Sequence, residues 1–244
     1  MKINVEKSGT GKSNIILLHG WGQSIKTFKQ VNIHLQSFFT VYNIDLPGFG
    51  LSDKPTYAFD TLDYANTLKD IIDNYLIDNP IIIGHSFGGR VAIKYTAIYQ
   101  NVRKLVLVNS AGIVNRKKIK YYFKVYAYKI LKKCFSLPIL KQYKEKVLKN
   151  FGSNDYKNAD EIMKKILVKV VNEDLRKDLE KITCPTLLIW GTNDYVTPLN
   201  DAYIMKKHLL DGGIVKIEEG GHFSYLDNPY LFMTVLDVFL NDDK

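Results

Sequence analysis

The segment IIIGHSFGGRVA spaces Gly84, Ser86 and Gly88 as G-x-S-x-G, with His85 and Phe87 between them. That spacing suits a nucleophile on a sharp strand-to-helix turn. One residue takes a strained conformation at the apex, and small residues two places before and after let the backbone close. The apex side chain then stands above the sheet at the N-terminus of the next helix, where the dipole and free N–H groups favour negative charge. Two blander readings compete: a glycine-rich turn with an incidental serine, and a phosphate loop. The phosphate loop lacks both G-x-x-x-x-G-K-[ST] and a strand-following G-x-G-x-x-G, and the early GTGKS of Gly9–Ser13 has no preceding glycine or strand.

A serine nucleophile needs a base, and the base needs an orienting carboxylate. His34 and His208 sit in polar helical contexts and read as surface residues; His85 adjoins the apex and should point away from it. His19 ends the first core strand and reads as a loop-former. His222, in EEGGHFSYLDNP, follows the last strand on a glycine-flexed loop and is the expected base. For the acid, LLIWGTNDYVTP places Asp194 just past the glycine that closes the fifth strand. An Asx-type turn before Pro198 would also account for this aspartate, but not for its sharing one sheet edge with Ser86 and His222. The loop after the fourth strand offers Asn109 and Ser110 and no acid, and Asp201 falls inside the next helix. Oxyanion donors would be backbone N–H groups, from Phe87 after the nucleophile and from Trp21 in HGWG. No metal and no organic cofactor is expected.

These side chains need elements that bring their loops to one edge. Short β-rich apolar runs alternate with helical patterns, as in a parallel sheet with crossover helices. Strands are expected at NIILLHG, FFTVYNIDLPG, PIIIGHS, VRKLVLVNS, CPTLLIWG and GIVKIEE. Helices are expected at TLDYANTLKDIIDNYL, FGGRVAIKYTAIY, PLNDAYIMKKHLL and from about Tyr225. KINVEKSG is expected to add an antiparallel hairpin at the sheet edge. From about Gly112 to Ile182 the alternation stops and the pattern is helical throughout. The expected division is a core of residues 1–111 and 183–244 with a helical cap, 112–182, inserted near the middle.

HGWG, DLPGFGLSDKP, GHSFGG, CPTLLIWGTNDYVTP and GGHFSYLDNP together resemble the motifs of the α/β-hydrolase fold family, in its chain order of nucleophile, acid and histidine. The resemblance runs from about Asn14 to the C-terminus, outside the helical block. It implies an α/β fold: a mostly parallel sheet with helices on both faces and a helical cap. It also implies Ser86 as nucleophile, Asp194 as acid, His222 as base, and the amides of Trp21 and Phe87 as oxyanion donors, with Asp45 and Asp53 forming turns. Members resembling dehalogenases and epoxide hydrolases carry aspartate at the apex. The serine here points instead to hydrolysis of carboxylic esters through an acyl-enzyme. Carbon–carbon bond hydrolysis of ring-fission products, lyase or acyltransferase chemistry on the same triad, and a ligand-binding pseudoenzyme are the alternatives. The carbon–carbon branch has a cap arginine and an aromatic residue after the histidine; Phe223 fits the second, and Arg116 and Arg176 are the cap candidates. Tyr122, Phe123 and Tyr126 of the cap, with Phe223, are the expected substrate-lining residues.

The basicity is local. Of 34 Lys/Arg and 25 Asp/Glu, 19 and 8 fall between Ile113 and Ile182, leaving 15 and 17 elsewhere. Within that block KKIKYYFKVYAYKILKK keeps one apolar face, as a lid helix over Ser86 would. A nucleic-acid partner is not expected, because no binding motif accompanies the charge. Contact with an anionic membrane surface is the competing reading of this helix. No apolar run approaches the roughly 20 residues of a spanning helix. MKINVEKSGTGKSN lacks the apolar segment of a secretory signal, and Cys134 and Cys184 show no ligand spacing. A cytoplasmic protein with free thiols is the expectation, acting on a small-molecule ester or acyl substrate. The sequence does not set the oligomeric state.

Overall fold

A computed structural model describes residues 1–114 and 154–244. Seven strands form one sheet in the order β1-β3-β2-β4-β5-β6-β7. They are β1 (Val5–Ser8), β2 (Asn14–Leu18), β3 (Thr40–Ile44), β4 (Ile81–His85), β5 (Lys104–Val108), β6 (Thr186–Gly191) and β7 (Gly212–Ile217). All neighbours are parallel except β1 and β3.

The central strands are apolar at nearly every position because both faces of the sheet are covered. Successive side chains alternate between faces. Ile16, Leu18 and Ile82 join one core, completed by α2 (Thr61–Asn74), α3 (Phe87–Tyr99) and α7 (Leu199–His208). Ile15, Leu17 and Ile83 join the other, against α1 (Lys29–Leu35) and α9 (Pro229–Phe239). Local signals set the helix starts. Asp60 and Asp63 form a reciprocal capping box at α2, and Asn228 caps α9 just ahead of Pro229.

Three details differ from the sequence patterns. β1 pairs with β3, Val5 opposite Ile44, and makes no hairpin with β2. Both edges of β2 are occupied by β3 and β4, so the open edge is that of β3. A helical stretch, Ile25–Phe28 running into α1, fills the β2–β3 crossover and buries Phe28, Val31 and Leu35. The last helical region is two pieces, α8 (Ser224–Asp227) and α9, because Pro229 has no N–H to continue the first.

Beyond β5, the described residues resume with α4 (Asn154–Asn158), α5 (Glu161–Asn172) and α6 (Arg176–Leu179). Asp160 caps α5 by accepting the Met163 N–H at 2.9 Å. Met163, Ile166 and Val170 recur at helical spacing and pack into the core that holds α2 and α3. Leu175, Leu179 and Ile182 are fully buried in the same core. The Leu175 N–H donates to Gly112 O at 2.9 Å, and the buried Arg90 guanidinium donates to Glu173 O at 2.6 Å, tying this segment to β5 and α3. Tyr122, Phe123, Tyr126, Arg116, Cys134 and the basic helix lie outside the described residues.

Candidate active site

Ser86 follows β4 and precedes α3 with φ 50° and ψ −111°, a region non-glycine residues avoid. The surroundings over-determine it. Its N–H donates to Val108 O at 3.1 Å, and its carbonyl accepts from Ala111 N at 3.0 Å. A Cβ on Gly88 would lie 2.0 Å from Leu18 O, so this glycine lets α3 rest directly on the end of β2. At the neighbouring position, Phe87 opens α3 and its N–H has no acceptor within that helix.

His222 arrives on the loop after β7 and Asp194 on the loop after β6. The Ser86 hydroxyl donates to His222 Nε2 at 3.0 Å, and His222 Nδ1–H donates to Asp194 Oδ2 at 2.8 Å. A carboxylate only accepts, so it fixes the imidazole tautomer with the lone pair facing Ser86. The Asp194 side chain is fully covered while the His222 ring keeps 15% exposure. Burial alone would push the Asp194 carboxyl up. Hydrogen bonds from His222, Thr197 and Asn109 outweigh it and hold the group at about 2.

Asn109 and Thr197 are site residues that sequence patterns did not single out. Asn109 Nδ2 donates to Asp194 Oδ2 at 2.7 Å and to Gly221 O at 3.2 Å, while Asn109 Oδ1 accepts from Ser224 Oγ at 2.5 Å. One side chain thus joins the acid loop to the histidine loop. Thr197 Oγ1 donates to Asp194 Oδ2 at 2.7 Å, and the amides of Val196 and Thr197 donate to Oδ1 at 2.7 and 3.0 Å. The available signals were the place of Asn109 at the end of β5 and of Thr197 one turn past the acid.

The other candidates fall as follows. His85 is buried; its Nδ1–H donates to Val108 O at 3.1 Å, and its ring centroid is 4.9 Å from that of His222. Burial first, then the nearby His222, pushes it down to about 3, so it remains neutral. Phe223 packs at a tilt against His85, centroids 5.1 Å apart and ring planes 45° to each other, and belongs partly to the core. His34 and His208 are paired with Asp237 and Glu180 at 3.0 and 2.8 Å rather than simply solvated. Asp45 accepts from the Asn4 side chain and the Leu51 and Ile25 amides, and Asp53 accepts from Lys2 N, so both hold turns.

The HGWG loop borders Ser86. A Cβ on Gly20 would lie 3.4 Å from Ser86 Cβ. The Gln23 N–H donates to Gly20 O at 3.2 Å, closing a turn whose third residue, Gly22, has φ +71°, where glycine is favoured. The Trp21 ring packs edge-on against Phe87 and Phe49, centroids 5.2 and 4.9 Å away. Among the described residues, no group of three or more His, Cys, Asp or Glu side chains could hold a metal ion.

Comparison with known proteins agrees with this architecture. An esterase from Exiguobacterium antarcticum is 28% identical and superposes with a TM-score of 0.76 over 98% of this chain and 95% of its own. An AB hydrolase superfamily protein of Bacillus subtilis is 28% identical over 97% of this chain and 94% of its own length. A pimeloyl-[acyl-carrier protein] methyl ester esterase of Wigglesworthia glossinidia brevipalpis is 27% identical over 95% of each. The family model for the alpha/beta hydrolase fold matches residues 14–229. The chain therefore belongs to the alpha/beta hydrolase fold family.

Proposed function

We propose that this protein is a serine hydrolase that cleaves carboxylic esters through an acyl-enzyme on Ser86, His222 and Asp194. The observation that carries the reading is the continuous line of hydrogen bonds, 3.0 Å from Ser86 to His222 and 2.8 Å from His222 to Asp194. His222 takes the hydroxyl proton as Oγ attacks the ester carbonyl, and Asp194 stabilises the imidazolium. The N–H groups of Phe87 and Trp21 receive the oxyanion. His222 then protonates the departing alcohol, and water attacks the acyl-enzyme by the same route in reverse. The esterase names among the relatives support an ester substrate. Arg176 is engaged by Asp174 and Val114 O, which weakens its candidacy as the cap arginine of carbon–carbon hydrolases. Residues 112–182 serve as the cap in this reading, with their final turn built into the core.

The test is a fluorophosphonate probe together with p-nitrophenyl esters of increasing acyl length. Wild type should be labelled and turn over, and Ser86→Ala should do neither while keeping its melting temperature within a few degrees. Turnover by Ser86→Ala at the wild-type rate would overturn the assignment. No helix among the described residues is long and apolar enough to cross a membrane. The surface-contact reading of the basic block predicts salt-sensitive sedimentation with anionic vesicles, and absence of co-sedimentation removes it.

A further inference from the structure

His19 is fully buried, stands at the end of β2, and takes no part in the proton transfers above. Its two ring nitrogens are both engaged. The backbone N–H of Leu46 donates to Nε2 at 3.0 Å. An amide N–H only donates, so Nε2 carries the lone pair and Nδ1 carries the proton. Nδ1 lies 2.7 Å from the carbonyl oxygen of Gly20, which it therefore donates to. Asp45 Oδ1, 3.9 Å from Nε2, is too far to displace Leu46. Burial lowers the ring's proton affinity against the opposing pull of the Gly20 carbonyl and Asp45, which keeps the ring neutral.

The Gly20 carbonyl and the Trp21 N–H belong to one peptide unit. In a planar trans peptide these two groups point in opposite directions. The oxygen is held twice, by His19 Nδ1–H and by Gln23 N–H. Gly20 itself lies against His85 and Ser86, and a Cβ there would meet His85 Cδ2 at 3.0 Å. Without the His19 bond, the peptide between Gly20 and Trp21 keeps only the single Gln23 bond on its oxygen. Gly20 has no side chain to resist a change of its ψ, and rotation would turn an oxygen toward the place of the oxyanion.

We propose that His19 is a positioning residue that sets the oxyanion peptide: by holding the Gly20 carbonyl it aims the Trp21 N–H at the tetrahedral intermediate. The tautomer is set from a different loop, by Leu46, so the aim depends on a chain of two hydrogen bonds. This inference rests on the ester-hydrolase reading of the site.

Two amides of different length separate the two ends of the imidazole. The Nδ2 of His19→Asn falls near the position of Nδ1 and supplies the donor to Gly20 O. His19→Gln reaches Leu46 but leaves Gly20 O without that donor. The Gln variant should lose about 10- to 100-fold in kcat, less than or equal to the cost of deleting an oxyanion donor, with KM for a p-nitrophenyl ester little changed. Affinity for a trifluoromethyl ketone, whose serine adduct carries an oxyanion, should fall in parallel. The Asn variant should recover at least tenfold of both. Equal behaviour of the two variants, or loss of stability with wild-type kcat and inhibitor affinity, would overturn the proposal. So would histidine 15N shifts of the wild-type protein that assign the Nε2–H tautomer to His19, a measurement that needs no variant. If wild type is neither labelled by fluorophosphonate nor inhibited by the ketone, it is the hydrolase reading that fails.

Discussion

At the scale of single residues, the site is governed by how many donors converge on one carboxylate. Asp194 is fully covered yet held at about 2, because His222, Thr197 and Asn109 all reach the same oxygen. Its folded-state value lies below the ordinary 3.8, so the group stabilises the fold above about pH 4 and loses that contribution as pH falls toward 2. Urea midpoints measured down this range should fall more steeply for wild type than for Asp194→Asn. Asn109→Ala removes donors to Asp194 and Gly221 and strands the Ser224 hydroxyl. It should cost about 1–3 kcal/mol in urea unfolding, together with a lower kcat, since the acid and histidine loops lose their common tie. The candidates Ser86, Asp194 and His222 could be picked from the sequence because each follows a strand in a glycine-marked segment: Gly84 and Gly88 around Ser86, Gly191 before Asp194, and Gly220 and Gly221 before His222. Asn109 and Thr197 were not. Short polar residues are common in loops, and these acquire meaning only when three loops from β5, β6 and β7 meet.

At the scale of elements, the contact between α3 and β2 fixes where Ser86 stands. Gly88→Ala drives a Cβ into the Leu18 carbonyl, a backbone atom that cannot move aside, and should cost about 3 kcal/mol or more. Gly22→Ala meets nothing within 4 Å and pays only for its left-handed φ, about 1–2 kcal/mol. Thermal unfolding of the pair should reproduce that order; a Gly88→Ala as stable as Gly22→Ala would show that α3 shifts to accommodate it. The strands were readable from runs such as Ile81–Ile83, whose burial on both faces leaves no polar alternation, and α2 and α3 from their helical patterns, whereas the helix between β2 and β3 was not. The partner of β1 was not readable, because it is decided by which sheet edge remains open after β2, β3 and β4 have paired.

At the scale of the molecule, the described part of the basic helical block is divided in its loyalties. Lysines mark its surface, while Leu175, Leu179 and Ile182 are as deeply buried as the central strands. Leu175→Ala should therefore cost about 2–5 kcal/mol and lower the single urea transition of the whole protein, not a separate early one. The start of the chain is bound as firmly. Lys2 N–H donates to Asp53 at 2.6 Å, and the Asn4 side chain donates to Asp45 at 2.8 Å, so the residues just before β1 clasp the loop that carries Leu46. This clasp orders events in time. Residues 5–8 are synthesised before residues 40–44 but cannot dock until those have taken their place, and the loop entropy of that pairing delays it. On refolding, recovery of the proposed ester hydrolysis should lag behind the burial of Trp190 seen by fluorescence, residues 5–8 being the last to dock.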